Sequence, residues 1–142
     1  MQIIGHRGAR GEAPENTLGG FRYLHGLGIR AVEFDVRQLK DGQLVVIHDD
    51  DFVRTTGRAQ HVESCDLSEA QQFDHRHQWQ HWTFEEYTPS LPHVLECLTD
   101  FDHIEVEIKA VADEAAAERL IEQLHQDLKG FETSATITSF DV

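Results

Sequence analysis

The sequence predicts an α/β fold, the first half of a (β/α)8 barrel with four barrel strands plus one hairpin strand. Three observations predict it. Short apolar runs alternate with amphipathic helical stretches, the order expected of parallel βαβ units. Two of the runs, AVEFDV at 31–36 and HIEVEI at 103–108, alternate apolar and acidic residues, so in each strand the carboxylates share one face and the apolar side chains the other. An acidic inward face suits the C-terminal mouth of a barrel better than an open sheet covered on both sides. The third observation is length: 142 residues fall well short of the about 250 typical of a complete barrel.

Taken in order, Gln2 to Gly5 is a short apolar run delivering His6-Arg7-Gly8 at its tip. Gly8 to Pro14 reads as loop, and Asn16 or Thr17 caps a helix carrying Leu18, Phe21, Leu24 and Leu27 at near-helical spacing, with Gly26 or Gly28 ending it. The second strand, Ala31 to Val36, runs into a hairpin at Asp41-Gly42. Folding the chain symmetrically about that dipeptide sets His48 opposite Asp35. From Asp50 to about Thr88 no period is sustained, and the stretch reads as an inserted loop or small subdomain. Ser90 caps a helix with Leu91, Val94, Leu95 and Leu98. His103 to Lys109 follows as a strand, with Ile104, Val106 and Ile108 on one face and Glu105, Glu107 and Lys109 on the other. Asp113 caps a helix with Ala117, Leu120, Ile121, Leu124 and Leu128, ended by Gly130, and Ala135 to Phe140 is a last strand. The whole of 1–142 reads as one half barrel with an insertion at about 50–88.

A formal charge of −14 argues against nucleic acid as a partner, because affinity for phosphate backbones comes from clustered Lys and Arg. An anionic substrate must then be met by a few local cations or a metal. Cys65 and Cys97 lie in no metal-ligand spacing and suggest reduced thiols. Neither a signal peptide nor a transmembrane segment is visible, and the expected location is cytoplasmic.

Glu33, Asp35 and Glu107 at one mouth would raise each other's pKa unless something positive sat among them. Carboxylate oxygens suit a hard divalent cation, Mg²⁺ or Ca²⁺. The plainer alternative is that each acid faces water or pairs with Arg7, Arg37 or Lys109. Glu105 is a rival ligand, but it lies roughly 6–7 Å deeper along its strand, so Glu107 is preferred. His6 and His48 form a natural acid–base pair if both reach the mouth, since imidazole titrates near neutrality. His75, His77 and His81 lack a zinc-binding frame and read as structural or surface residues. Trp79, Trp82 and Tyr87 read as packing within the insertion rather than as a cation–π pocket for a head group.

Seven short motifs carry a resemblance: HRGARGEAPENT at 6–17, the E-x-D of Glu33 and Asp35, His48-Asp49, RTTG at 54–57, PSL at 89–91, EIK at 107–109 and SFD at 139–141. In order and spacing the chain resembles the glycerophosphodiester phosphodiesterase family, of the phospholipase C-like TIM-barrel type. The resemblance implies hydrolysis of glycerophosphodiesters to glycerol 3-phosphate and an alcohol with a divalent cation. It places Glu33, Asp35 and Glu107 on the metal ligands, His6 and His48 on the catalytic acid and base, and Arg7 and Lys109 on positions that hold the phosphate. Family members continue through four more strands, so this chain is expected to be a fragment, with self-association through exposed barrel edges as the alternative. Two other readings are a catalytically silent metal-binding half barrel and a related phospholipase that cyclises its substrate.

Overall fold

Alternation between faces decides where the strands sit. In the computed structural model, which describes residues 1–139, β1 (Gly5–His6), β2 (Ala31–Gln38), β4 (His103–Ile108) and β5 (Ala135–Thr138) run parallel in the order β1-β2-β4-β5. A short β3 (Leu44–Val46) folds back antiparallel on β2. Val32, Phe34 and Val36 of β2 and Ile104 and Val106 of β4 are fully buried against the helices. Each such side chain contributes roughly 1.5–3 kcal/mol by leaving water. A slip of one residue would expose this set and bury the acids instead. Hydrophobic burial on one face therefore forces Glu33, Asp35, Glu105 and Glu107 onto the other, where the register sets Glu33 beside Glu105 and Asp35 beside Glu107.

The helices supply the cover. Helix α1 (Leu18–Gly26) begins at Thr17, whose hydroxyl accepts from the Gly20 amide, and buries Phe21 edge-on against Phe34 at 5.7 Å. Leu27, expected on the buried stripe, is its C-cap and is 53% exposed. Helix α4 (Leu91–Glu96), capped by Ser90, buries Leu91, Val94 and Leu95. Helix α5 (Glu114–Asp127), capped by Asp113, buries Leu120 and Leu124. Ile121 is 51% exposed, one residue or about 100° round the helix from Leu120. Ile3 and Ile4, expected in the first strand, precede β1 and are exposed, as is Ile137 of β5.

The hairpin corrects one expectation. The sequence reading took Asp41-Gly42 as a two-residue turn with His48 opposite Asp35, but the ladder pairs Val36 with Val46, and the Ile47 amide donates to the Asp35 carbonyl at 3.0 Å. Ile47 therefore occupies the place opposite Asp35, and His48 lies one residue beyond. The cause is a three-residue loop, Lys40-Asp41-Gly42: Leu39 pairs with Gln43, the Gly42 amide donates to the Leu39 carbonyl, and Gly42 takes φ +86°. A turn followed by a left-handed glycine adds one residue to one strand and moves the register by one.

Residues 50–88 hold two single-turn helices, α2 (Val53–Thr56) and α3 (Leu67–Ala70), and a 3₁₀ turn at Val62–Ser64. They build a second core of Phe52, Val62, Cys65, Ala70 and Phe73 against Leu39, Val45 and Ile47 of the hairpin. Glu86 ties this segment to α1, accepting from the Gly19 amide at 3.0 Å and from the Trp82 indole at 2.9 Å. Trp82 meets Trp79 edge-on within the segment, the packing expected there, but it also meets Tyr23 of α1, and Tyr87 is exposed. His75 is buried and bonded to Thr88 at 2.6 Å while His81 is exposed, so the three histidines do not gather as a zinc site. Cys65 and Cys97 are free. The expected end of the last strand at Phe140, and the Phe140-Asp141 part of the SFD motif, lie outside the described residues.

Candidate functional site

Of the seven sequence-predicted site residues, His6, Arg7, Glu107 and Lys109 lie at or just beyond the C-terminal ends of β1 and β4, His48 lies just beyond β3, and Glu33 and Asp35 lie within β2, which runs on past them into the hairpin. Side-chain oxygens of Glu33, Asp35 and Glu107 fall within 4.8 Å of one another. Adjacent parallel strands in matched register bring them there: Asp35 and Glu107 are direct partners, and Glu33 lies two residues back on the same face. Glu105 instead meets His103 at 2.9 Å, which removes the rival ligand.

The electrostatics of this group are unbalanced. Burial, with the nearby charges of Asp35 and Glu107, pushes Glu33 up to about 7. Glu33 Oε1 and Asp35 Oδ1 are buried without a hydrogen-bond partner. Cations stand beside the group: Lys109 is 2.7 Å from Glu107 and 3.5 Å from Asp35, and Arg7 Nε is 3.6 Å from Asp35. Unpaired, clustered, buried carboxylate oxygens of this kind fit a hard divalent cation. The fit rests on these orphaned oxygens and on an all-oxygen donor set.

His6 stands over Glu33, with Nε2 3.2 Å from Oε2 and the side chain 55% exposed. Partial burial and the charges of Arg7 and Arg10 hold its pKa below the usual value. Both shifts favour the uncharged forms and so weaken the ion-pair character of the contact. Arg7 follows in the left-handed region at φ +51°, and its buried Nε has no hydrogen-bond partner. A non-glycine residue held there is strained and persists only where its surroundings demand it. Here the Arg7 carbonyl accepts from the Asn16 amide at 2.9 Å, and Arg7 Nη1 donates to Glu15 at 3.2 Å. Asn16, itself at φ +55°, donates its side-chain amide to Asp35 Oδ2 at 3.1 Å.

His48 is anchored through its carbonyl, which accepts from Arg37 Nε at 2.9 Å, and through Nδ1, 2.8 Å from Asp49 Oδ1. It lies close enough to His6 to enter that residue's charge environment. Arg54 of α2 spans two carboxylates. Nη1 and Nη2 donate to Glu15 at 2.6 and 2.9 Å, while Nε and Nη2 donate to Asp49 at 2.9 and 3.1 Å. Burial alone would raise Asp49, but hydrogen bonds from Arg54 and His48 outweigh it and hold the carboxyl at about 2. Sequence reasoning gave no site role to Glu15, Asp49 or Arg54, and it offered Asn16 only as a candidate helix cap, a place that Thr17 takes. The signal available was their membership in the motifs at 6–17, 48–49 and 54–57.

An α/β partial barrel with acids, histidines and cations at the C-terminal ends of its parallel strands has the layout in which barrel enzymes carry their active sites. Residues 6–140 match the glycerophosphoryl diester phosphodiesterase family, and the chain belongs to that family. It is 34% identical over 142 residues to a glycerophosphodiester phosphodiesterase of Caldanaerobacter subterraneus, an alignment covering 98% of this chain and 58% of the relative. Its fold is similar to that of an Oleispira antarctica phosphodiesterase solved in complex with the product sn-glycerol-3-phosphate, with TM-score 0.87 at 30% identity, covering 99% of this chain and 58% of that one. A glycerophosphodiester phosphodiesterase of Agrobacterium tumefaciens gives TM-score 0.82 at 28% identity with the same coverage. The chain thus spans under three fifths of the length of these relatives. No helix among the described residues is long and apolar enough to cross a membrane.

Proposed function

We propose that residues 1–142 form the N-terminal half of a metal-dependent glycerophosphodiester phosphodiesterase barrel, with 50–88 as an insertion, and carry its metal-, phosphate- and proton-handling groups. One observation carries the reading: the carboxylates of Glu33, Asp35 and Glu107 gather on β2 and β4, with one oxygen each of Glu33 and Asp35 buried without a hydrogen-bond partner, directly beside His6 and Arg7. Glu33, Asp35 and Glu107 hold the cation, Mg²⁺ or Ca²⁺. When bound, it withdraws charge from a non-bridging phosphate oxygen and offsets the mutual repulsion of its ligands.

The remaining steps belong to the side chains. Arg7 and Lys109 supply positive charge beside the phosphate, so both meet the negative charge that grows as the nucleophile adds. Water attacks phosphorus as one of His6 and His48 takes its proton. The bond to the alcohol oxygen breaks as the other histidine protonates the departing alkoxide, leaving glycerol 3-phosphate and a free alcohol. A glycerophosphodiester suits the acidic chain because its single phosphate charge is met locally rather than by a basic surface.

Incubation of the chain with glycerophosphocholine, with and without EDTA, tests the reading by its product. Glycerol 3-phosphate formed only without chelator, and lost in folded His6→Ala and His48→Ala chains, is expected. A cyclic phosphate would identify a cyclising phospholipase. No turnover by a monomer of confirmed fold would identify a silent half barrel.

A further inference from the structure

The insertion at 50–88 has a place in the chemistry. Its Arg54, on a single helical turn closed by Gly57 at φ +77°, uses four hydrogen bonds to clamp Glu15 and Asp49 together. Each carboxylate has one further partner. Glu15 accepts from Arg7, whose Nε lies 3.6 Å from Asp35, and Asp49 meets Nδ1 of His48. From the first loop of the barrel to the hairpin, the chain of contacts runs Arg7, Glu15, Arg54, Asp49, His48.

We propose that Arg54 is the positioning residue of this site, fixing through Glu15 the direction of the Arg7 guanidinium and through Asp49 the tautomer of His48. The proposal rests on the phosphodiesterase reading for its catalytic meaning, but not for its geometry. An ionised carboxylate only accepts hydrogen bonds, so Asp49 requires the proton of neutral His48 to sit on Nδ1. Nε2 is then the atom left to take up or release a proton, and its orientation is fixed by the bond on the opposite side of the ring. Asp49 can do this only while its own orientation is held, and both of its oxygens are bound by Arg54. Lysine cannot replace this arrangement. Bridging two carboxylates with parallel donor pairs requires the planar fork of a guanidinium, and an ammonium is a point charge.

The test compares the wild-type chain with Arg54→Met and Arg54→Lys. Circular dichroism and melting establish that each variant is folded. The first readout is long-range ¹H–¹⁵N correlation of the imidazoles at mildly alkaline pH, with His48 assigned from a His48→Gln sample. The wild type is expected to show His48 protonated at Nδ1, and both Arg54 variants a mixture of tautomers, with the signals of His103, whose ring meets Glu105 at 2.9 Å, unchanged as an internal control. A His48 signal identical in all three chains overturns the proposal, and so does a wild type already protonated at Nε2. The second readout is turnover of glycerophosphocholine: both variants are expected to lose about 10- to 100-fold in kcat/KM, the usual effect of removing a supporting partner, with the loss divided between kcat and KM because His48 and Arg7 are disturbed together. Full rescue by lysine overturns it. A wild type that turns over nothing contradicts the phosphodiesterase reading alone, because the tautomer readout needs no substrate.

Discussion

Replacing Glu33 by glutamine is expected to stabilise the cation-free protein while abolishing its response to divalent cations. Glu33 has its carboxyl raised from 4.5 to about 7 by burial and by its acidic neighbours, and its side chain is only 12% exposed. The folded state holds this proton more tightly than the unfolded state, so stability falls as pH rises from 4.5 through about 7. Above that window the cost is fully present, about 3 kcal/mol from the size of the shift. Glutamine keeps the shape and carries no charge, so in chelator at about pH 8 Glu33→Gln should melt higher than wild type, by about 10 °C for a chain of this size. Added Ca²⁺ or Mg²⁺ should raise the wild-type midpoint more at about pH 8 than at about pH 5, and leave Glu33→Gln nearly unmoved. Calorimetric melts of both chains in EDTA and in millimolar cation make the comparison. A glutamine variant that melts below wild type in EDTA at about pH 8 would refute the reasoning.

Two further perturbations follow from the same structure. Burial holds His75 neutral, down to about 4, so the unfolded state binds the extra proton first and stability falls as pH drops from 6.5 towards 4, by about 3 kcal/mol. This slope opposes that of Glu33 over the same window, so it is read by urea denaturation in the Glu33→Gln background, where adding His75→Gln should flatten it; an unchanged slope would count against the buried neutral imidazole. Gly42→Ala should lower the urea midpoint by the equivalent of about 1–2 kcal/mol, because φ is +86° while the added methyl meets nothing within 4 Å; a midpoint at or above wild type would contradict the three-residue loop.

The acidic group was legible in the sequence because its geometry depends only on the two-residue period of a strand. Once Val32, Phe34, Val36, Ile104 and Val106 take the helix side, Glu33, Asp35 and Glu107 must share the other face. His48 was placed one residue wrong because register depends on the turn's backbone, and an Asp-Gly pair is compatible with both a two-residue turn and a longer loop with a left-handed glycine. Residues 50–88 could be read no further than as an inserted loop or small subdomain. Their core is completed by Leu39, Val45 and Ile47 from the hairpin, and their tie to α1 joins Glu86 to Gly19, 67 positions apart. Arg54 and Glu15 are 39 residues apart and meet through side chains alone, so no periodicity records the contact.

Cation binding by the carboxylates of β2 and β4 underlies the proposed chemistry, and it is measured directly by calorimetric titration of Ca²⁺ and Mg²⁺ into the metal-stripped chain beside its Asp35→Asn variant. Asp35 is fully buried, with one oxygen that has no hydrogen-bond partner, and its carboxylate lies within 4.8 Å of those of Glu33 and Glu107. Binding of about one ion per chain by the wild type, lost in a folded Asp35→Asn protein, is the predicted result. Equal binding by both proteins, or none by either, would contradict the account.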